Sequence, residues 1–221
     1  MYALWFFIDY NMRHTIFNMP INKFVAVSTS IAALAFLLLH IILNFVTANG
    51  TGGYDVVINL IDYALLAISF ILLLVMNLRN DDRAYMGITL LLTYIAIDAV
   101  FYFINLTASM SLSILEAPLE YILALILNMA SSGFQLAMGI CSYIFLFRYS
   151  ARRFDNHRRI FLFLSLFVLA TLLFQLSSLY LTFVSSSSVS IQWLISFIAI
   201  TLALLCGGFS AIFTFKRLRR L

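Results

Sequence analysis

Seven polar residues lie within long apolar segments of this chain, and their chemistry would suit a binding site. They are His40, Asn59, Asp62, Asp98, Tyr102, Asn128 and Gln175. Carboxylates and an imidazole can bind a cation or exchange a proton, whereas amides and a phenol can hydrogen-bond a small polar ligand. Ionisable side chains are costly inside a membrane segment, so they are candidates for a functional site.

The spacing of these residues predicts polar stripes on helices. Residues three or four apart lie on one helix face, and five apolar segments carry such series. Because lipid offers no hydrogen-bond partner, we expect the stripes to face the interior of a helix bundle. Most stripes fall between the membrane midplane and one surface, while the other halves are rich in Leu, Ile, Val and Phe. The pattern predicts a polar pocket open to the outer side and closed toward the cytoplasm.

A purely structural interpretation of the stripes stands beside the ligand site. Interhelical hydrogen bonds hold membrane bundles together, each contributing roughly 0.6 to 2 kcal/mol. Asp98 is the sharpest case because it lies near the predicted bilayer centre. It is either a ligand or proton site, or a neutral carboxyl hydrogen-bonded to Asn128 or Gln175. His40 is the only basic candidate at membrane depth that could pair with it.

The composition predicts a polytopic membrane protein. Of 221 residues, 64% are hydrophobic and only 10% are charged, against about 25% charged in a typical soluble domain. Lipid must therefore solvate most of the surface. A nucleic-acid partner is excluded, because no soluble region is large enough to form a binding surface.

The thirteen Lys and Arg residues predict the topology. Basic loops remain cytoplasmic, and the clusters alternate with apolar runs so that all bases fall on one side of a six-span drawing. We predict an all-α bundle of six transmembrane helices in the cell membrane, with both termini cytoplasmic. Residues 1–23 form an interfacial segment and residues 216–221 a basic cytoplasmic tail. Within the domain 24–215, the predicted spans are 24–47, 56–78, 85–107, 120–147, 160–184 and 190–215.

The sequence predicts partners only in general terms. The lipid bilayer is one, and the loop Arg148–Arg159, with five Arg, and the basic tail could dock a cytoplasmic or membrane protein. Whether the chain forms a homo-oligomer is left open. Cys141 and Cys206 are isolated and are interpreted as small buried hydrophobic residues. We predict no metal and no cofactor, because no ligand spacing or fingerprint motif occurs.

The order of parts resembles the six-helix sensor modules at the N-termini of bacterial diguanylate cyclases and histidine kinases. The similar parts are a polar turn from Arg79 to Tyr85, an apolar helix containing Asp98, a helix ending in Phe145–Tyr149, and a final Lys/Arg-rich exit. The resemblance implies a membrane sensor. The sequence departs from that family because no output domain follows Leu221. We therefore expect that the module acts through a partner, that the chain is a fragment, or that the resemblance reflects only the shared physics of helix bundles.

Two function classes follow from this reasoning. The first is a non-enzymatic sensor or accessory subunit with a polar pocket open to the outer side. The alternative is a small transporter, or the membrane subunit of one, that uses buried Asp62 and Asp98 to carry a small solute or cation. Transporters commonly break helices at Gly or Pro around a midplane site, and this chain has only two prolines. The sequence disfavours an intramembrane enzyme, because no spacing pairs a nucleophile with a base.

Overall fold

The chain folds as long helices in a computed structural model that describes residues 21–47, 53–79, 81–110, 118–150, 157–185 and 189–218. These residues form six α-helices and a short 3-10 turn at Asp82–Ala84. The helices are α1 Ile21–Thr47, α2 Gly53–Leu78, α3 Tyr85–Met110, α4 Leu119–Ser150, α5 His157–Ser185 and α6 Ile191–Leu218. The all-helical prediction is confirmed, and none of these helices is interrupted within its bounds.

Five of the described helices carry apolar stretches long enough to cross a membrane. The stretches are Ile21–Asn44, Tyr85–Tyr102, Leu119–Arg148, Arg158–Ser185 and Ile191–Leu218. A spanning helix needs about 20 residues, and the apolar stretch found in α2 is shorter, at Tyr63–Leu78. The helices are thus compatible with an integral membrane protein, while the sixth span remains a prediction.

Sequence neighbours pack against each other, and α6 returns to pack against α1. His40 of α1 contacts Ser196 at the start of α6, whereas Ser30 contacts Ser210 near its end. The two helices therefore run antiparallel. The contacts α1–α2, α2–α3, α3–α4, α4–α5, α5–α6 and α6–α1 close a ring of helices.

Helix α6 is the most enclosed element in its second half. The consecutive residues Ser210, Ala211 and Ile212 are all buried, and successive helical residues point in different directions. Small residues let the neighbouring backbones approach, as in other membrane bundles. A Cβ on Gly207 would collide with the ring of Phe70 in α2.

One end of the bundle holds all eight Lys and Arg residues that the structure describes. They are Lys23, Arg79, Arg83, Arg148, Arg158, Arg159, Lys216 and Arg217, and the antiparallel packing brings the helix termini that carry them together. We call this the basic end, and the opposite one the non-basic end. Helix α6 continues to Leu218, so the predicted tail at 216–221 begins inside a helix. Residues 1–20, most of the predicted interfacial segment, lie outside the described residues.

Candidate functional site

His40 is the centre of a hydrogen-bonded cluster that joins three helices toward the non-basic end. Its Nδ1 lies 2.8 Å from the Ser196 carbonyl oxygen of α6. Its Nε2 lies 3.1 Å from the Tyr63 hydroxyl of α2 and 3.0 Å from Asn44 Nδ2 of α1. We call His40, Asn44, Tyr63 and Ser196 the histidine cluster.

The acceptors around His40 determine its tautomer. A carbonyl oxygen only accepts, so His40 Nδ1 carries a proton and donates to Ser196. In the neutral ring Nε2 then accepts, and the Tyr63 hydroxyl donates to it. Tyr63 in turn accepts from Asn44 Nδ2 at 2.8 Å, and Ser196 Oγ donates to Asn44 Oδ1 at 3.1 Å. The cluster is therefore self-consistent with a neutral imidazole.

Shape reinforces these hydrogen bonds. The His40 and Tyr63 rings meet edge to face with centroids 5.1 Å apart, an arrangement that aromatic pairs favour. His40 is only 8% exposed and Ser196 only 5%. In such a dry environment, a group that loses its partner incurs the full desolvation penalty. The His40 ring thus links the contact of α1 with α2 to its contact with α6.

A second cluster joins α3, α4 and α5. The Tyr102 hydroxyl donates to Asn128 Oδ1 at 2.8 Å, and Asn128 Nδ2 donates to Ser178 Oγ at 3.2 Å. The Tyr102 ring packs edge to face on Phe174, with centroids 5.0 Å apart. We call Tyr102, Asn128 and Ser178 the tyrosine cluster. It confirms that the predicted stripes of these three helices meet.

Further polar pairs continue this seam between α4 and α5. The hydroxyl oxygens of Ser131 and Ser177 lie 2.6 Å apart, and Gln135 Nε2 donates to Thr171 Oγ1 at 3.2 Å. Gln135 Oε1 is a buried acceptor with no protein hydrogen-bond partner. These hydrogen bonds hold α4 and α5 together, in keeping with the structural interpretation of the stripes.

The seven predicted residues do not all meet in one place. His40 belongs to the histidine cluster, while Tyr102 and Asn128 belong to the tyrosine cluster. Gln175 receives a hydrogen bond from Thr201 of α6 at 3.4 Å. Asn59 and Asp62 lie on α2, and their side chains are outside the described part of the chain.

The Asp98 side chain is exposed on α3, and its role as a ligand or proton site stays a prediction. The buried positions Leu91, Ile95 and Ala99 define the inner face of α3. Asp98 falls at the edge of that face, one residue before Ala99.

A buried polar group at the basic end was not predicted. Asn77 is fully buried, and its Nδ2 donates to Thr214 Oγ1 of α6 at 2.7 Å. Arg217, 6% exposed, donates from Nη2 to the Asp81 carbonyl at 2.8 Å and from Nη1 to the Asn77 carbonyl at 3.4 Å. Lys23 of α1 donates to the Leu78 carbonyl at 3.2 Å. The helix halves at this end, rich in Leu, Ile, Val and Phe, therefore also contain buried polar side chains.

Lys23 and Arg217 cap the C-terminal end of α2. The last carbonyls of a helix lack intrahelical donors and carry partial negative charge, and Lys23 and Arg217 supply donors and positive charge from two other helices. Charge repulsion between Lys23 and Arg217 opposes their approach. The sequence signal was available, because Arg217 is one helical turn from Thr214 and Asn77 closes α2, but only packing shows that they meet.

The described residues contain no group of three or more His, Cys, Asp or Glu that could hold a metal ion. The described side chains form hydrogen bonds between neutral groups, and at the basic end buried cations cap α2. No protein-family model, curated protein or solved structure matches the chain. The resemblance to bacterial sensor modules continues to depend on the sequence pattern alone.

Proposed function

We propose that this protein is a non-enzymatic membrane sensor or accessory subunit, with the histidine cluster as its input site. The observation that supports the proposal is that His40 bonds to residues of α1, α2 and α6 through both ring nitrogens. A ligand that binds His40, Asn44 or Tyr63 must break or extend this set of bonds. The free energy of binding is thereby linked to how three helices pack.

Helix α6 offers a route from this input to the basic end. It is a single helix from Ile191 to Leu218, with Ser196 in the histidine cluster and Arg217 on the end of α2. A rigid helix moves as a unit, so a displacement at Ser196 changes the contacts of Arg217. A partner that docks at the basic end, through the Arg148–Arg159 loop or the C-terminal tail, would receive that change.

A transporter remains the competing proposal, with Asp62 and Asp98 as the carriers. The uninterrupted helices argue against it, because midplane transport sites commonly use broken helices. The bonding within the two clusters argues against it as well, since a passing solute would have to replace those bonds. Accumulation of a labelled solute in proteoliposomes that is lost in Asp98→Asn would support transport over sensing.

We propose that the basic end is cytoplasmic, as the positive-inside rule requires. Single cysteines at Ser185, next to the non-basic end, and at Arg152, in the basic loop, test this in a chain lacking Cys141 and Cys206. A membrane-impermeant maleimide added to intact cells should label Ser185→Cys, and Arg152→Cys only after lysis. Labelling of both from the same side would disprove the up-and-down topology.

The sensor proposal is tested by thermal unfolding of the purified protein in mild detergent. The probes are alkali and alkaline-earth chlorides, amino acids and monosaccharides, each added singly. A compound that stabilises the wild type should lose most of its stabilising effect in His40→Gln. It should keep that effect in Ser131→Ala, because Ser131 lies on the separate α4–α5 seam. Equal responses of the wild type and His40→Gln to every stabilising compound would overturn the assignment of the input site.

A further inference from the structure

An apolar groove runs along the outer surface of the α3–α4 seam. Its volume is about 470 Å³. The lining includes the small residues Ala96 and Gly139, together with Leu92 and Phe101 of α3 and Leu136 and Tyr143 of α4. Phe101 is 62% exposed, so the groove opens to the surroundings of the bundle. Neither the histidine cluster nor the basic-end caps contribute to it.

The dimensions of the groove match a lipid acyl chain. From Leu92 to Phe101 is nine residues, or about 14 Å of helix. One leaflet of the hydrocarbon core is about 15 Å thick. The lining of the groove is almost entirely apolar, which suits the hydrocarbon of an acyl chain.

Exposed arginines at the basic ends of the two groove helices favour an anionic lipid. Arg83 lies immediately before α3, and Arg148 lies in the last turn of α4, so the two helices of the groove each carry an arginine at the basic end. Both side chains are exposed. Arg148 is five residues beyond Tyr143, which is about 8 Å along the helix and 140° around it, so its long side chain has to extend around α4 to reach a head group above the groove.

We propose that the α3–α4 seam is a binding site for an anionic phospholipid of the leaflet at the basic end. One acyl chain occupies the groove beside Ala96 and Gly139, and the phosphate group lies at the level of Arg83 and Arg148. Basic residues at the ends of membrane helices recognise such head groups, and guanidinium groups pair well with phosphate oxygens. This site is separate from the proposed input at His40.

Native mass spectrometry of the full-length protein in detergent tests the proposal. The probes are dioleoyl phosphatidylglycerol and dioleoyl phosphatidylcholine, which share acyl chains and differ in net charge. The anionic phosphatidylglycerol should bind more tightly than phosphatidylcholine. Arg83→Gln and Arg148→Gln should each weaken its binding about fivefold. One basic residue near an anionic lipid surface contributes about 1 kcal/mol, which corresponds to that change in affinity. Equal binding of the two lipids would overturn the proposal.

Matched variants separate this seam from general attraction to basic protein. Arg158→Gln with Lys216→Gln removes two exposed charges from the same end but from α5 and α6, and it should leave binding unchanged. Ala96→Leu should fill the groove and weaken phosphatidylglycerol binding, whereas Ala137→Leu, on another exposed part of α4, should not. Thermal unfolding verifies that each variant folds.

Two results would contradict the site. The first is that the Arg158 and Lys216 pair weakens binding as much as the Arg83 and Arg148 pair. The second is that Ala96→Leu abolishes a lipid-independent dimer without changing lipid binding, which would assign the groove to a second copy of the chain.

Discussion

The His40 ring of α1 donates a hydrogen bond of 2.8 Å to the backbone carbonyl of Ser196 in α6. A helix carbonyl near the start of α6 is thereby held by a side chain 156 residues away in sequence. The same ring accepts from α2 on its other nitrogen. One imidazole thus joins the first, second and last described helices.

Removing this ring should loosen all three contacts. We expect His40→Ala to lower the free energy of unfolding by about 1–2 kcal/mol, since interhelical bonds in membranes contribute roughly 0.6 kcal/mol each on average. Tyr63→Phe, which removes one hydroxyl and keeps the ring packing, should have a smaller effect. Unfolding in mixed micelles with increasing dodecyl sulfate measures both, and an unchanged midpoint for His40→Ala would contradict the structure of the cluster.

Gly207 and Gly133 make a matched pair for testing the packing of α6. A Cβ at Gly207 would meet Phe70, whereas nothing lies within 4 Å of a Cβ at Gly133. Gly207→Ala should therefore destabilise by about 1–3 kcal/mol through overpacking. Gly133→Ala should be neutral or stabilising by up to about 1 kcal/mol, because alanine is the better helix former. Equal unfolding midpoints for the two variants would show that α6 does not pack on α2 as described.

Arg217 and Lys216 differ in burial although they are adjacent. Arg217 is buried and donates to carbonyls of Asn77 and Asp81, while Lys216 is exposed. Arg217→Met should cost about 1–3 kcal/mol, because the Asn77 carbonyl loses its donor and the Asp81 carbonyl keeps only the Ala84 N–H. Lys216→Met should lie within about 0.5 kcal/mol of wild type, as for ordinary surface changes. Chemical unfolding compares them, and a larger effect at Lys216 would refute the capping of α2.

The α2–α3 hairpin makes a prediction about positions 62 and 98. A Cβ at Gly87 of α3 would lie 3.0 Å from the Leu73 backbone nitrogen of α2, which sets the register of the pair. Position 62 is eleven residues before Leu73, and position 98 is eleven residues after Gly87. Eleven residues make about three helical turns, so both positions return to the face of that contact and to the same level.

Cysteine cross-linking tests this register. In a chain lacking Cys141 and Cys206, Asp62→Cys with Asp98→Cys should form a disulfide on mild oxidation, because bridged Cα atoms lie about 4.4–6.8 Å apart. Asp62→Cys with Ile97→Cys, about 100° around the helix, is the control and should react much less. Preferential bridging to position 97 would show a shifted register.

The physics of charge and apolar length made the helices predictable from sequence. Cations are excluded from hydrocarbon, so Lys and Arg mark helix ends, and uninterrupted apolar runs mark the helices between them. The polar stripes on the helices of Tyr102 and Asn128 likewise predicted inward faces, and the structure joins these two side chains to Ser178. Local periodicity was sufficient there because lipid leaves polar groups no other partner.

Which polar groups meet was decided by tertiary packing alone. Ser196 had no stripe to mark it, yet it completes the histidine cluster because α6 returns to pack against α1. Asp98 had the spacing of a polar stripe, and its side chain is exposed at the edge of the inner face of α3. Arg217 looked like a tail residue, yet it is buried on the end of α2. A hydrogen bond between helices depends on their relative rotation and register, which follow from the fit of residues such as Gly207 against Phe70 and are not encoded within either helix separately.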